Sequence, residues 1–288
     1  VERIKFSAML IFLSMWLLVV YVPVTHWVWG GGILSSWGTM DFAGGIVVHA
    51  TAGTAALVTA LTLGKRRGFP KSITPPHSPI LTMIGASMLW IGWFGFNAGS
   101  ALGANGGAGM AMLVTHISAA TASLVWMFIE WRRFGKPSLI GIVTGMVAGL
   151  ATVTPASGYI GVPGGLVLGF FGGLFCYLAV DYIRGKLQID DSLDVFAVHG
   201  VGGILGTLLV AFLATSTFSG LGLAEGQTAV SQFFVQLKAV ALTVVWTSVF
   251  TYLILKITSF IVPLRVDEQE EIEGLDLRSH GEKGYHSD

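Results

Sequence analysis

Two short segments of this chain place an acid ahead of an apolar run and an imidazole inside it. The first is Asp41-Phe42-Ala43-Gly44-Gly45-Ile46-Val47-Val48-His49; the second is Asp194-Val195-Phe196-Ala197-Val198-His199-Gly200-Val201-Gly202-Gly203. Aligned on the histidines, Val48-His49-Ala50-Thr51-Ala52-Gly53 and Val198-His199-Gly200-Val201-Gly202-Gly203 share Val-His, then small residues, then Gly. An ionisable group within an apolar segment is a functional candidate because its burial is costly. A neutral imidazole both donates and accepts a hydrogen bond, so two in contact can line a narrow path for a small polar molecule. The competing reading is a pair of packing histidines satisfied by backbone carbonyls.

Other residues carry chemistry with a plain structural alternative beside each. Asp41 reads either as an N-cap accepting from free backbone amides or as a participant in proton transfer, and a carboxylate near an aromatic mouth also favours a cation. Asp194 carries the same two readings, while Asp190 and Asp191 are expected in a solvated loop. His116 is expected to make a hydrogen bond between helices. In Thr25-His26-Trp27-Val28-Trp29-Gly30-Gly31-Gly32, Trp27 fits an interfacial belt, whereas Trp29, followed by glycines, can offer its face to a cation. Trp90-Ile91-Gly92-Trp93-Phe94-Gly95-Phe96-Asn97-Ala98-Gly99-Ser100 has spaced glycines that permit close helix packing. They also let Phe96 project toward a cavity beside the Ser100 hydroxyl. Lys238 is expected to snorkel to the interface.

The elements that must position these groups follow from composition. Of 288 residues, 53% are hydrophobic and 11% charged, against about 25% charged in a soluble domain. An all-α polytopic membrane protein is the expected class. The lone cysteine, Cys176, excludes an internal disulfide framework and a four-cysteine zinc site. With zero net charge and no basic stripe, no nucleic-acid partner is expected. No signal peptide is expected either, since the first apolar run is too long and lacks a cleavage pattern. About 20 apolar residues cross a bilayer as a helix, which predicts spans near 6–29, 42–64, 79–99, 109–131, 138–157, 162–183, 194–215 and 230–261. The fifth is the weakest, being rich in Gly and Thr.

Cations set the direction. Arg3, Lys5, Lys65, Arg66, Arg67, Lys71, Arg132, Arg133, Lys136, Arg184, Lys186, Lys256 and Arg265 fall at alternate ends, and the connections near 26–40, 100–108, 155–162 and 216–229 hold neither Lys nor Arg. Both termini are therefore expected in the cytoplasm, with residues 1–265 as a membrane domain and 266–288 as an acidic tail. The second and seventh spans then run antiparallel. That marks an inverted repeat, an architecture whose transporters bind substrate near the midplane. At the helical rise, His49 lies about 12 Å inside Asp41 and His199 roughly 8 Å inside Asp194, so both reach the central membrane.

Taken together, Asp41-Phe-Ala-Gly-Gly with His49, Gly92-Trp-Phe-Gly-Phe-Asn-Ala-Gly-Ser100, Asp190-Asp-Ser-Leu-Asp-Val-Phe196 with Val198-His-Gly200, and Glu273-Gly-Leu-Asp276 resemble the hallmarks of the ammonium transporter family (Amt/Mep/Rh), its bacterial Amt branch above all. The resemblance runs the length of the chain. It implies that His49 and His199 are the twin histidines of the pore, and that Trp29 and Ser100 belong to the external ammonium-recruitment site. It further implies that Phe96 is one of two stacked gate phenylalanines, that Trp93 lines the pore, and that Asp41 is the acid beside the external site. Family members are homotrimers of eleven-span subunits in the inner (plasma) membrane, and the tail resembles the one that contacts PII-type signal proteins. With about eight spans, this chain is expected to lack the first three helices, including the other gate phenylalanine. The expected function is to recruit ammonium at the aromatic site, deprotonate it and conduct ammonia past the histidines. That is a transporter, not an enzyme, with no cofactor. Two alternatives stand beside it: an ammonium sensor signalling through the tail, and an intramembrane metalloprotein with His49, His116 and His199 as ligands, a set able to bind zinc.

Overall fold

The computed structural model describes residues 2–72 and 75–284. Eight apolar helices form the body: α1 (Phe6–Ser36), α2 (Gly45–Leu63), α3 (Pro79–Gly99), α4 (Gly106–Phe134), α5 (Leu139–Val153), α6 (Val162–Lys186), α7 (Phe196–Leu213) and α8 (Ala229–Ile261). Seven are long and apolar enough to cross a bilayer. The exception, α5, has 15 residues and a length of about 22 Å, short of the ~30 Å hydrocarbon core. It is buried along most of its length instead, and is extended by the turns that tie Ala156 to Val153 and Tyr159 to Ala156. The weakest of the expected spans is thus a helix enclosed by protein.

Start signals read from side chains agree with the bounds. Ser78 accepts from the Leu81 amide ahead of α3, Asn105 from Ala108 ahead of α4, and Ser138 from Gly141 ahead of α5; each satisfies an amide the first turn leaves free. The continuous helix of the first span ends at Trp29, as expected, and after the break at Gly30–Gly32 a separate turn of helix follows at Ile33–Ser36. Pro23 has no N–H to give the Val19 carbonyl. A π-helical turn at Leu17–Tyr21 absorbs the misfit, and the Trp246 indole on α8 donates to that carbonyl at 3.2 Å.

Small residues set the packing of α4, α5 and α6. A Cβ on Gly149 would fall 2.4 Å from the Ser118 carbonyl, and one on Gly169 2.6 Å from the same oxygen. The charged ends gather on one face. There Arg3 donates to the carbonyls of Gly64 and Asp190, Arg66 pairs with Asp190 and Glu2, Arg265 donates to the Leu63 carbonyl, and Lys5 N–H donates to Leu264. Arg133–Asp181 and Arg184–Asp194 close the same face under α4, α6 and α7. Helix ends therefore alternate as the cation pattern requires; the face that carries the tail is called the tail face below, and the other the distal face. The tail is not simply solvated. A short helix, α9 (Glu268–Glu273), is capped by Asp267 and pinned where Glu271 meets Arg265 (2.7 Å) and the Arg67 amide. Residues 285–288 lie outside the described residues.

Candidate functional site

Each histidine sits in a π-helical turn at the start of its helix, Gly45–Ala50 for His49 and Phe196–Gly200 for His199. Such turns recur at functional sites because they turn a side chain out of the regular helical row. The two helices cross in contact. A Cβ at Gly53 would lie 2.3 Å from the Cα and N of Gly200, and one at Gly203 would lie 2.5 Å from the His49 Cβ. Without side chains at these glycines the backbones touch, and the imidazoles meet: His199 Nδ1 lies 3.2 Å from His49 Nδ1, across an offset of 150 residues.

That offset corrects one sequence assignment. Asp194 does not correspond to Asp41; Asp191 does. The Asp41 carboxylate accepts from the amides of Gly44, Gly45, Ile46 and Val47 (2.6–3.1 Å), and the Asp191 carboxylate accepts from Phe196 at 2.7 Å, the position matching Ile46. Asp194 instead stands where the first half has Gly44. Both adopt left-handed backbone (φ +54° and +118°), and their carbonyls accept from Val198 and Val48, respectively. Asp190 and Asp191, expected in solvent, are buried at 3% and 8% exposure. For Asp190 the physical reason is charge pairing, whereas Asp191 is held by the Phe196 amide it accepts from. Arg66 Nε lies 3.2 Å from Asp190 and its amide donates to the same carboxylate, while Arg3 donates to the Asp190 carbonyl at 2.7 Å. Outside the helices, burial pushes the Asp194 carboxyl up to about 6 although Arg184, 2.7 Å away, opposes it.

Trp93 lies flat beside both imidazoles, stacked on His49 (5.2 Å, 18°) and parallel to His199 (6.4 Å, 13°). Its indole is fixed by a 3.0 Å bond to the Thr154 hydroxyl, which itself donates to Leu150. Phe96 touches His49 (6.2 Å) and Trp93 (5.6 Å). Together with Val48, Ala52, Leu89, Gly92 and Val195 these residues line a largely apolar cavity of about 520 Å³. His49 is buried, and its Nε2 has no protein partner.

The other expected site residues take distinct places. The Trp29 indole donates to the Asp41 carbonyl at 2.8 Å, and its ring is 45% exposed. The Ser100 hydroxyl donates to the Phe96 carbonyl at 2.9 Å, at the distal end of α3. All four hydrogen bonds to the Asp41 carboxylate come from the opening amides of α2, so its oxygens are occupied, although the N-cap position itself is Gly44. His116 does not join the histidine pair: its ring stacks on Trp90 (5.1 Å) and meets Phe94 (6.1 Å). A three-histidine metal site is not assembled, and among the described residues no three His, Cys, Asp or Glu side chains converge on a metal position. Lys238 reaches the Trp37 ring at 5.0 Å. Sequence reasoning missed Asp191, Thr154 and the buried Gln232 and Gln236. For Asp191 the signal was present: Asp41–His49 and Asp191–His199 have equal spacing.

Antiparallel helices from two inverted halves, each bringing a histidine to a shared apolar cavity, define a helical membrane protein of the transport class. A family model described as "Ammonium Transporter Family" matches residues 1–285. The chain is 48% identical over 287 residues to "Ammonium transporter Amt1" of Archaeoglobus fulgidus, covering 99% of this chain and 72% of that protein. It is 46% identical to "Ammonium transporter" of Aquifex aeolicus, covering 99% and 66%. Among solved structures it resembles "Sensor Amt Protein" (TM-score 0.89, 30% identity, 97% of this chain, 71% of that one). It also resembles Saccharomyces cerevisiae Mep2 (TM-score 0.82, 34% identity, 92% and 62%). The chain belongs to the ammonium transporter family, and it spans about two thirds of the length of these relatives.

Proposed function

We propose that the protein transports ammonium by holding the ion at the distal, external end near Trp29 and Ser100, releasing a proton there to water, and passing ammonia between His49 and His199. The observation that carries this reading is the 3.2 Å contact between the two Nδ1 atoms within an apolar cavity. Two neutral rings in that contact share one proton: one Nδ1 donates, the other accepts. The Nε2 atoms must then differ, one bare and one protonated. Ammonia, with three N–H groups and a lone pair, can bond to both. Ammonium has no lone pair, and stripping its water in an apolar passage costs far more than for a neutral guest. Asp41, its oxygens all taken, favours the cation through its charge and through the shape it gives α2. A proton passed separately along the imidazoles would make transport electrogenic, which current recordings on reconstituted protein would read.

Methylammonium uptake by His49→Ala and His199→Ala variants tests the reading; unaltered uptake and selectivity in both would reject it. One observation favours a sensing role beside transport. The tail helix is joined through Arg67 and Arg265 to the end of α2, and Arg66 there pairs with Asp190, next to the residue that caps α7. A PII-type signal protein at the tail, a homotrimer and an inner-membrane location with the tail in the cytoplasm complete the proposal. Deleting residues 266–288 separates the two roles, since a sensor keeps conduction and loses its response.

A further inference from the structure

Helix α8 carries two buried amides, both of which reach backbone outside the helix. Gln236 is fully buried and Gln232 is 3% exposed. The Gln236 Oε1 accepts from the Met40 amide at 2.8 Å, and its Nε2 donates to the carbonyls of Met40 (2.7 Å) and Thr207 (2.9 Å). Gln232 Nε2 donates to the Gly38 carbonyl (2.9 Å) and to Gln236 Oε1 (3.2 Å). Gln236 thus pairs with both backbone groups of Met40, as a neighbouring strand would, and uses both donors and its acceptor. A packing role between α7 and α8 would need none of the bonds to Met40 and Gly38.

The next residue explains their use. The Asp41 carbonyl receives the Trp29 indole N–H, and its carboxylate caps α2. Trp29 itself is half exposed and is followed by Gly30–Gly32, so little packing fixes its ring. We infer that Gln236, with Gln232 behind it, is a positioning residue for the external cation site, holding the Met40–Asp41 peptide so that the Trp29 ring face is presented at a fixed angle. The inference rests on the proposed role of Trp29. Gln236→Leu leaves the Met40 amide and carbonyl without their side-chain partner and loosens the Met40–Asp41 peptide, so cation affinity suffers while passage past the histidines does not.

The experiment is a two-residue cycle read by methylammonium uptake: Trp29→Leu, Gln236→Leu and the double variant, with folded yield and thermal stability measured on each. The half-saturation concentration is expected to rise about tenfold in Gln236→Leu, the scale of one or two lost hydrogen bonds, with the maximal rate within about twofold. The double variant is expected to be no worse than Trp29→Leu alone, because both changes act through one ring. An unchanged half-saturation in folded Gln236→Leu, a loss confined to the maximal rate, or effects that multiply in the double variant would overturn the inference. Should Gln236→Leu fail to fold, Gln232→Leu removes only the Gly38 bond and one contact to Gln236; a rise of about threefold supports the inference, and none overturns it. If Trp29→Leu itself leaves half-saturation unchanged, the external-site reading fails and this one falls with it.

Discussion

Replacing Gly53 by alanine adds one methyl group at the crossing of α2 and α7, and its consequence can be worked from distances. The new Cβ would sit 2.3 Å from both Cα and N of Gly200. Both are backbone atoms, so no side chain can swing aside. Reaching ordinary contact near 3.4 Å requires the helices to part by about 1.1 Å. The Nδ1–Nδ1 distance of 3.2 Å would then open to about 4.3 Å, beyond hydrogen-bonding range. Overpacking of this kind costs about 1–3 kcal/mol, and the lost bond adds roughly 1 kcal/mol. Thermal unfolding should therefore show a destabilised protein. Uptake should fall at least about tenfold if ~1.4 kcal/mol of stabilisation at the histidine pair is lost. The control is Gly85→Ala on α3, where an added Cβ meets nothing within 4 Å; it should leave uptake unchanged and stabilise the helix by about 0.5–1 kcal/mol. A Gly53→Ala protein that matches the parent in both assays would refute the crossing geometry and with it the shared proton.

Three further outcomes follow from the tail face and the head of α2. The Asp194 carboxyl, held near 6 by burial against an ordinary 3.8, binds its proton more tightly folded than unfolded. Its contribution to stability therefore declines as pH rises from about 4 to 6 and is flat above; Asp194→Asn should remove that slope in thermal unfolding between those values, and an unaltered slope would count against the assignment. Asp190→Ala leaves Arg3, 2% exposed, and Arg66 without their shared carboxylate, and should cost about 3–5 kcal/mol of stability; a stable variant with normal yield would show the network to be incidental. Asp41→Ala removes the acceptor for four amides at the start of α2 and should cost about 2 kcal/mol. Asp41→Asn, which keeps one acceptor oxygen, should recover part of that loss in the same measurement.

What could be read from the chain and what could not divide along a physical line. Span length is a property of one segment, so the sequence predicts α3 at 79–99, where it is Pro79–Gly99, and the start of α6 at Val162. The histidine pair was legible because a repeated segment on antiparallel spans is itself a statement about two places at once. Gly30–Gly32 reads as an ending, and the first helix does end at Trp29; the extra turn at Ile33–Ser36 beyond it leaves no such signal. Asp190 and Asp191 look solvated in a run of acids; Asp190 is buried because Arg3 and Arg66 arrive from sequence-distant segments, and Asp191 because it accepts the Phe196 amide. Gln236 gives no signal of its own, since two amides one turn apart in a 33-residue apolar helix are equally compatible with a wet face. Its meaning lies in Met40, 196 residues away. The histidines are legible by type, whereas supports such as Asp41 and Gln236 bond to backbone atoms, which every sequence presents alike. For this reason a search by residue type reaches the passage before it reaches the supports that fix its shape.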